Sequence, residues 1–387
     1  MKASRFISER LDFRGRITVA ATAVSFLIII IAVAVVDGFR KEIRDGVGNL
    51  MGDVQLTTSG ISYFGEGNPV DDSASYIPRL SEVSGVKGIT PVIYRTGIVK
   101  NGDGIQGVLI KAVPTDDTTS LMVSIPSTLS SKLGLKEGDP MITYFIGDRV
   151  RMRRFTVKEV YADFLRTDDK MLVYASLPDL QRVNGWSSRE VSALEVTLED
   201  RFRGNEAEKE KAAQLSMISS LNALEGEQPL VAASATSRYA RLFDWLNLLD
   251  FNVLAILLLM ILVAGFNMVS GLLIMLFRNT GTIGTLKALG MDNKGVSEVF
   301  LRVSSRIVLK GMLIGNALAL AFCLLQGTTH LLKLNPENYF VGFVPVWVNV
   351  PKILAADIVA YVLIMLLLLL PSLFISRVDP ADTVRVK

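Results

Sequence analysis

The sequence predicts an α-helical membrane protein with four transmembrane helices and a large α/β domain set between the first and second. Three observations carry that fold class. Half of the 387 residues are hydrophobic and the mean hydropathy is +0.39, a balance that soluble domains rarely reach. Four stretches are each long and apolar enough to cross a hydrocarbon layer of about 30 Å, which takes roughly 20 helical residues. Between the first two of these lie residues 38–248, of ordinary globular composition and long enough for one large or two small domains.

Taken in order, residues 1–16 are polar and basic and read as an interfacial helix, followed by span one at 17–37. Ala32-Val33-Ala34 imitates a signal cleavage site, but the apolar run is longer than a signal peptide's and a 16-residue polar segment precedes it, so an uncleaved anchor is expected. Within 38–248, apolar alternation on both sides of KNGDG predicts a hairpin turning at Asn101–Gly104, and GDPMITYFIGDRVRMRRFTVKEVYA predicts another near Gly147-Asp148. Further strands are expected at Val54–Thr58, Lys170–Ala175 and Val191–Leu198. Helices are expected at Pro126–Leu133, Leu177–Val183 and Asn205–Ala223, the last rich in Glu, Lys and Ala. Span two follows at 249–277, a connecting segment at 278–306, span three at 307–327, a short loop at 328–351, span four at 352–376 and a tail at 377–387.

Basic residues in short flanks set the orientation. Lys2, Arg5, Arg10, Arg14 and Arg16 precede span one; Arg278, Lys287, Lys294, Arg302 and Arg306 join spans two and three; Arg377, Arg385 and Lys387 follow span four. The loop 328–351 carries only His330 and Lys333. Both termini and segment 278–306 are therefore expected in the cytoplasm, with 38–248 and 328–351 outside. Gly311 and Gly315 form a GxxxG suited to close helix packing, and Pro371 is expected to kink span four.

Several chemistries are excluded. One cysteine, Cys323, and one histidine, His330, build neither a disulfide framework nor a Cys/His zinc site. The net charge of +3 is too small, and its basic residues too dispersed, for a nucleic-acid partner. Asp71-Asp72, Asp116-Asp117 and Asp168-Asp169 sit among turn-formers with no base nearby and read as solvated loops. No G-x-x-x-x-G-K-[ST] occurs, so nucleotide phosphates have no P-loop in this chain. No catalytic residue, cofactor or metal site is expected. The outer domain reads as a binding or transmitting module, and any work it does is driven by another chain.

Immediately after span two comes RNTGTIGTLKALGM, small, basic and punctuated by glycine. Ile283, Leu286 and Leu289 recur at three-residue spacing, giving a short helix with one apolar edge, and Gly290 is placed to stop it in the left-handed conformation. Such a helix on the membrane face is either an ordinary interfacial helix or a docking surface for a partner.

The stretch FRNTGTIGTLKALGMDNKGVSEVFL resembles the segment after the second span in FtsX/MacB-type permeases of ABC transporters. RITVAATAVSFLIIIIAVAVVDGFRKEIRDGVGNLMGDVQL and LLPSLFISRVDPADTVRVK are similar to the opening and the close of the lipoprotein-releasing permeases of the LolC/LolE kind. FTVKEVYADFLRTDDKMLVYASLPDLQRV is similar, more loosely, to a stretch of their periplasmic domain. The resemblance implies a permease of the bacterial inner membrane, with a periplasmic domain made of a porter-like unit and a β-rich insert at about 121–184. It implies that Ile283, Leu286, Lys287, Leu289 and Gly290 belong to a coupling helix resting on a dimeric ABC ATPase, which would hold the ATP and Mg. It implies a second permease, identical or related, membrane lipid as surroundings and lipoprotein as cargo. Thr282 stands where the family usually has an acid, and Asp382 where it has Glu. The turn FIGDRVRMRR is shorter than the hairpin by which relatives reach a chaperone, which argues against that contact here. Phe39, Met51, Phe243, Trp245 and Phe251 fit either an aromatic belt or a way in for acyl chains. Two other functions share the resemblance: an FtsX-like regulator of an extracytoplasmic cell-wall hydrolase, and a MacB-like exporter of small molecules or peptides.

Overall fold

The computed structural model describes residues 16–58, 68–115, 120–147, 150–163, 171–335, 339 and 341–372. The interfacial helix expected at 1–16 (save Arg16), the tail 377–387 and the pairs Asp116-Asp117 and Asp168-Asp169 lie outside the described residues. In chain order the helices are α1 (Arg16–Met51), α2 (Ile77–Ser81), α3 (Ser127–Leu133), α4 (Leu177–Asn184), α5 (Asn205–Asn222), α6 (Ala235–Arg238), α7 (Ala240–Arg278), α8 (Thr280–Ala288), α9 (Asn293–Thr329) and α10 (Val350–Ser372). The strands are β1 (Val54–Thr58), β2 (Val70–Asp71), β3 (Val86–Asn101), β4 (Gly104–Val113), β5 (Met122–Pro126), β6 (Pro140–Phe145), β7 (Arg151–Tyr161), β8 (Met171–Ser176), β9 (Glu190–Val191), β10 (Ala193–Leu198) and β11 (Leu230–Ser234). The chain divides into a membrane unit, Met1–Lys41, Leu246–Lys333 and Phe343–Lys387, and a second unit, Glu42–Trp245 with Leu334–Gly342.

Four helices, α1, α7, α9 and α10, are long and apolar enough to cross a membrane; their most apolar windows have mean hydropathy 2.0–3.0, yet at most 39% of any window is buried. Apolar surface left outside on that scale calls for hydrocarbon rather than water around it. α1, α7 and α9 run well past the expected spans, and α10 starts two residues before its own. Ile43, Val47 and Met51, four residues apart and all buried, keep α1 helical to Met51 although its apolar run has ended. Asp292 caps α9 by accepting the Gly295 N–H at 2.9 Å, and Val296, Val299, Phe300 and Val303 are buried in continuity with Ile307. The segment expected to loop into span three is thus that helix's own first turns. Pro371 lies inside α10, close to its end.

The membrane unit is packed through small residues. A Cβ on Gly311 would meet Thr22 at 2.8 Å, and one on Gly315 would meet the Ala23 carbonyl oxygen at 2.4 Å. α9 therefore lies on α1 with almost nothing between the backbones. Thr22 and Ser25 are buried beside this contact and return their hydroxyls to Thr18 and Ala21 carbonyls in the same helix, leaving no donor unspent. α9 and α10 are tied by Asn316, whose Nδ2 donates to Asp357 Oδ2 at 2.6 Å, and by Ser305 and Tyr361, whose hydroxyls lie 2.8 Å apart.

In the second unit nine strands form one sheet in the order β11-β1-β10-β3-β4-β8-β5-β7-β6, and β6 returns to pair with β3. β3, β4, β8, β5, β7 and β6 thus close into a barrel, filled by residues that include Val99, Ile110, Phe145, Phe155 and Val173. The barrel draws on 86–113 as well as on the insert expected at 121–184, because β3 is long enough, at 16 residues, to pair with β10 first and with β4 and β6 further on. Both expected hairpins are present. Gly102 takes φ +57° in the two-residue turn between β3 and β4, and β6 and β7 pair from Pro140↔Thr156 to Phe145↔Arg151. Leu80 of α2 and Ala212 and Leu215 of α5 complete the core beside β1, β10 and β11.

Gly315→Ala is expected to cost about 1–3 kcal/mol, since the α1 backbone has to move to admit a methyl group. Gly281→Ala adds its methyl where nothing lies within 4 Å. Thermal unfolding of the purified protein in detergent should show a lowered midpoint for the first and none of that loss for the second.

Candidate partner-docking segment

The segment singled out in the sequence forms α8, a helix of nine residues held at both ends. At Asn279 the chain leaves α7; the Asn279 side chain donates to the Met275 carbonyl at 2.8 Å, and its own carbonyl accepts the Ile283 N–H at 2.9 Å. At the other end Gly290 takes φ +88°, and the N–H groups of Leu289, Gly290 and Met291 close on the carbonyls of Thr285, Lys287 and Leu286. Asp292 then begins α9. A short helix with so little intrinsic stability stays formed because it is tied to two long ones.

Its side chains fall on two faces. Ile283 is fully buried and belongs to the same core cluster as Val296 and Phe300, and Gly284 is buried beside it. Leu286 and Lys287 are half-buried. Gly281, Thr282, Thr285, Ala288 and Leu289 are exposed, Leu289 at 81%. The three apolar residues expected to share one edge are therefore divided, Ile283 anchoring the helix and Leu289 facing out. The exposed face is small and weakly polar, ending in one large apolar side chain; Thr285 has its hydroxyl on the Gly281 carbonyl at 2.9 Å. Such a face admits close approach by a partner and offers little to water.

The five residues considered as a way in for acyl chains fall in both units. In the membrane unit Phe39 is buried and Phe251 is exposed; in the other, Met51 and Phe243 are buried and Trp245 is half-buried. Around Phe39 the membrane unit carries a set of polar ties that the sequence did not disclose. Arg40 pairs with Asp250, Lys352 Nζ lies 2.5 Å from Asp37 Oδ1, Lys41 Nζ sits 3.1 Å above the Trp347 ring, and Trp347 N–H donates to the Ala34 carbonyl at 2.9 Å. Each joins residues from different helices or loops, so no local pattern betrays it. An apolar groove of about 410 Å³ runs between α7 and α10, lined by Phe266, Val269, Phe277, Leu367 and Leu370 among others. Among the described residues no three His, Cys, Asp or Glu side chains gather as metal ligands do. Asp71, expected in a solvated loop, accepts from the N–H and hydroxyl of Ser73, and those bonds hold its carboxyl below the usual range.

In the membrane unit α8 is thus a short helix set between two long apolar ones, α7 and α9. Residues 254–380, beginning within α7, match the family model described as FtsX-like permease C-terminal. Over most of its length the chain is similar to two named relatives. It is 23% identical over 405 residues to the lipoprotein-releasing system transmembrane protein LolC of Xylella fastidiosa (strain 9a5c), covering 97% of this chain and 94% of that one. It is 25% identical over 341 residues to the lipoprotein-releasing system transmembrane protein LolE of Haemophilus influenzae, covering 79% and 78%. Among solved structures, the periplasmic region of MacB from Actinobacillus actinomycetemcomitans aligns with TM-score 0.32 at 14% identity, covering 51% of this chain and 96% of that one. The extracellular domain of the ABC-type transporter YknZ aligns with TM-score 0.31 at 13% identity, covering 47% and 99%.

The two faces of α8 make opposite predictions. Ile283→Asp puts an unpaired charge into the core and should destabilise the membrane unit by several kcal/mol. Leu289→Asp should leave the unfolding midpoint in detergent close to the parent's. Equal midpoints for the two variants would contradict the placement of Ile283.

Proposed function

We propose that this chain is a transmembrane subunit of an ABC transporter that extracts lipoproteins from the bacterial inner membrane, working as a dimer with itself or a relative and driven by two copies of a separate ATPase. The observation that carries the reading is α8: a short helix fixed by its buried Ile283 and by bonds at both ends, with a small exposed face ready for a partner. The FtsX-like domain and the similarity to lipoprotein-releasing relatives support it. Movement of the ATPase pair would shift α8 and, through Ile283, the helices packed on it; α1 and α7 would carry that motion to the large domain. Basic residues in the flanks put α8 and both termini in the cytoplasm and the large domain in the periplasm. The docking surface in this reading is Thr282, Thr285, Ala288 and Leu289, with Leu286 and Lys287 at its margin. Phe39 and Phe251 remain candidates for contact with acyl chains.

Leu289→Asp tests the contact. With the fold intact, copurification of the ATPase should fall at least tenfold, the loss expected for a charge set in an apolar interface. Unchanged copurification and unchanged ATP hydrolysis by the reconstituted complex would make α8 an interfacial helix and nothing more. The orientation has its own check, in a Cys323→Ala background. An impermeant maleimide added to intact spheroplasts should label Asn101→Cys and leave Lys294→Cys untouched.

A further inference from the structure

Where α1 ends, its last carbonyls are met by buried side chains. An α-helix leaves its final carbonyls without N–H partners, and they form the negative end of its dipole. Here the Gly48 carbonyl accepts the Gly52 N–H at 2.8 Å. The Asn49 carbonyl accepts from Lys111 Nζ at 2.6 Å, and the Leu50 carbonyl accepts from the Tyr94 hydroxyl at 2.7 Å, with Lys111 Nζ at 3.4 Å. Lys111 on β4 and Tyr94 on β3 are register partners. Glu195 on β10 brings its two carboxylate oxygens to 2.7 and 2.8 Å from the Lys111 ammonium and also meets the Tyr94 hydroxyl. All three residues are more than nine-tenths buried.

The sheet itself has no need of charge at this place. Val92, Leu109, Ala193 and the ring of Tyr94 itself form an apolar cluster on the same strands, with Leu50 packed against it. Desolvation works against the charges: burial pulls the Lys111 ammonium below its usual range and pushes the Glu195 carboxyl up, each opposed by the other's charge. Burial, with the Glu195 charge behind it, also drives the Tyr94 phenol well above its usual range. An apolar trio would serve the sheet as well or better. What it would lack is donors for the helix end. A second set of bonds holds the residues around it: Arg203 donates to Asp53 Oδ1 at 2.8 Å and lies 3.5 Å from Asp45 of α1, while Asp53 Oδ2 accepts the Leu198 N–H at 2.7 Å.

We propose that Lys111, Tyr94 and Glu195 are the anchor that fixes the end of the first membrane helix to the sheet, with Lys111 a positioning residue for transport. The proposal rests on the permease function argued above. α1 is one unbroken helix from Arg16 to Met51, so movement along it arrives at residues 49 and 50. Bonded there to Lys111 and Tyr94, and through them to Glu195 on a third strand, the helix end drags the sheet with it; unbonded, its last turn frays and the motion is lost.

The test uses the full-length protein with its ATPase in lipid nanodiscs, read by hydrogen–deuterium exchange. The triple variant Tyr94→Phe/Lys111→Met/Glu195→Met removes the charges and the Tyr94 hydroxyl and keeps the bulk. It should leave the protection of β3 and β4 as in the parent and speed exchange across Glu42–Met51 roughly tenfold. The difference in exchange of the large domain between ATP-bound and nucleotide-free complexes, present in the parent, should vanish. Parent-like protection at Glu42–Met51 together with a retained nucleotide-dependent difference overturns the anchor while leaving the permease function standing. Loss of protection in β3 and β4 as well overturns it too, since the cluster then serves the sheet. A parent that binds ATPase yet shows no nucleotide-dependent difference overturns the permease function, and the anchor with it.

Discussion

The membrane unit depends on a contact between backbones. Gly311 and Gly315 bring α9 so close to α1 that a single methyl group on Gly315 would collide with the Ala23 carbonyl. Lipid tails solvate leucine as well as another helix does, so exclusion of apolar surface cannot hold such helices together; close packing and polar bonds must. Both are found here, in the glycine seam between α1 and α9 and in the Asn316–Asp357 and Ser305–Tyr361 ties between α9 and α10. α8 inherits its position from this arrangement, because Ile283 is buried in the cluster that α9 helps to build.

The second unit solves a different problem, that of a sheet with many strands. Closing β6 onto β3 removes one edge outright and lets a single long strand, β3, serve both the barrel and the sheet that continues through β10, β1 and β11. At the joint between them stand Tyr94 and Lys111. These two strands carry apolar residues on one face into the main core and, on the other, the polar residues that receive the end of α1.

The mechanical role proposed for this chain asks for stiffness at a few joints, and polar bonds are found at several such places. They gather where helices end or change direction: at Asn279 and Gly290 on either side of α8, at Asp292 before α9, at Asn49 and Leu50 where α1 stops. Between these joints each long helix keeps its own backbone bonds, and α9 and α10 add the Asn316–Asp357 and Ser305–Tyr361 ties.

The sequence by itself determined what depends on near neighbours in the chain. Four apolar runs marked the four helices long and apolar enough to cross a membrane, KNGDG marked a two-residue hairpin, Gly311 and Gly315 marked a surface for close packing, and Gly290 marked the stop of α8. The strand at Val54–Thr58 and the helices at residues 127–133 and 177–184 follow from local periodicity and turn chemistry in the same way. The extensions of α1 to Met51 and of α9 back to Asn293 were also written there, in apolar residues spaced three and four apart beyond the hydrophobic runs. Tertiary structure alone decided the rest. Which of Ile283, Leu286 and Leu289 points inward depends on how α8 hangs between α7 and α9, and three-residue spacing does not contain that rotation. Nor does any pattern unite Tyr94, Lys111 and Glu195 with the carbonyls of Asn49 and Leu50, since they come from three strands and a helix end far apart in the chain. A buried lysine is tolerable only beside its carboxylate and its carbonyls, and those partners exist only once the sheet has formed.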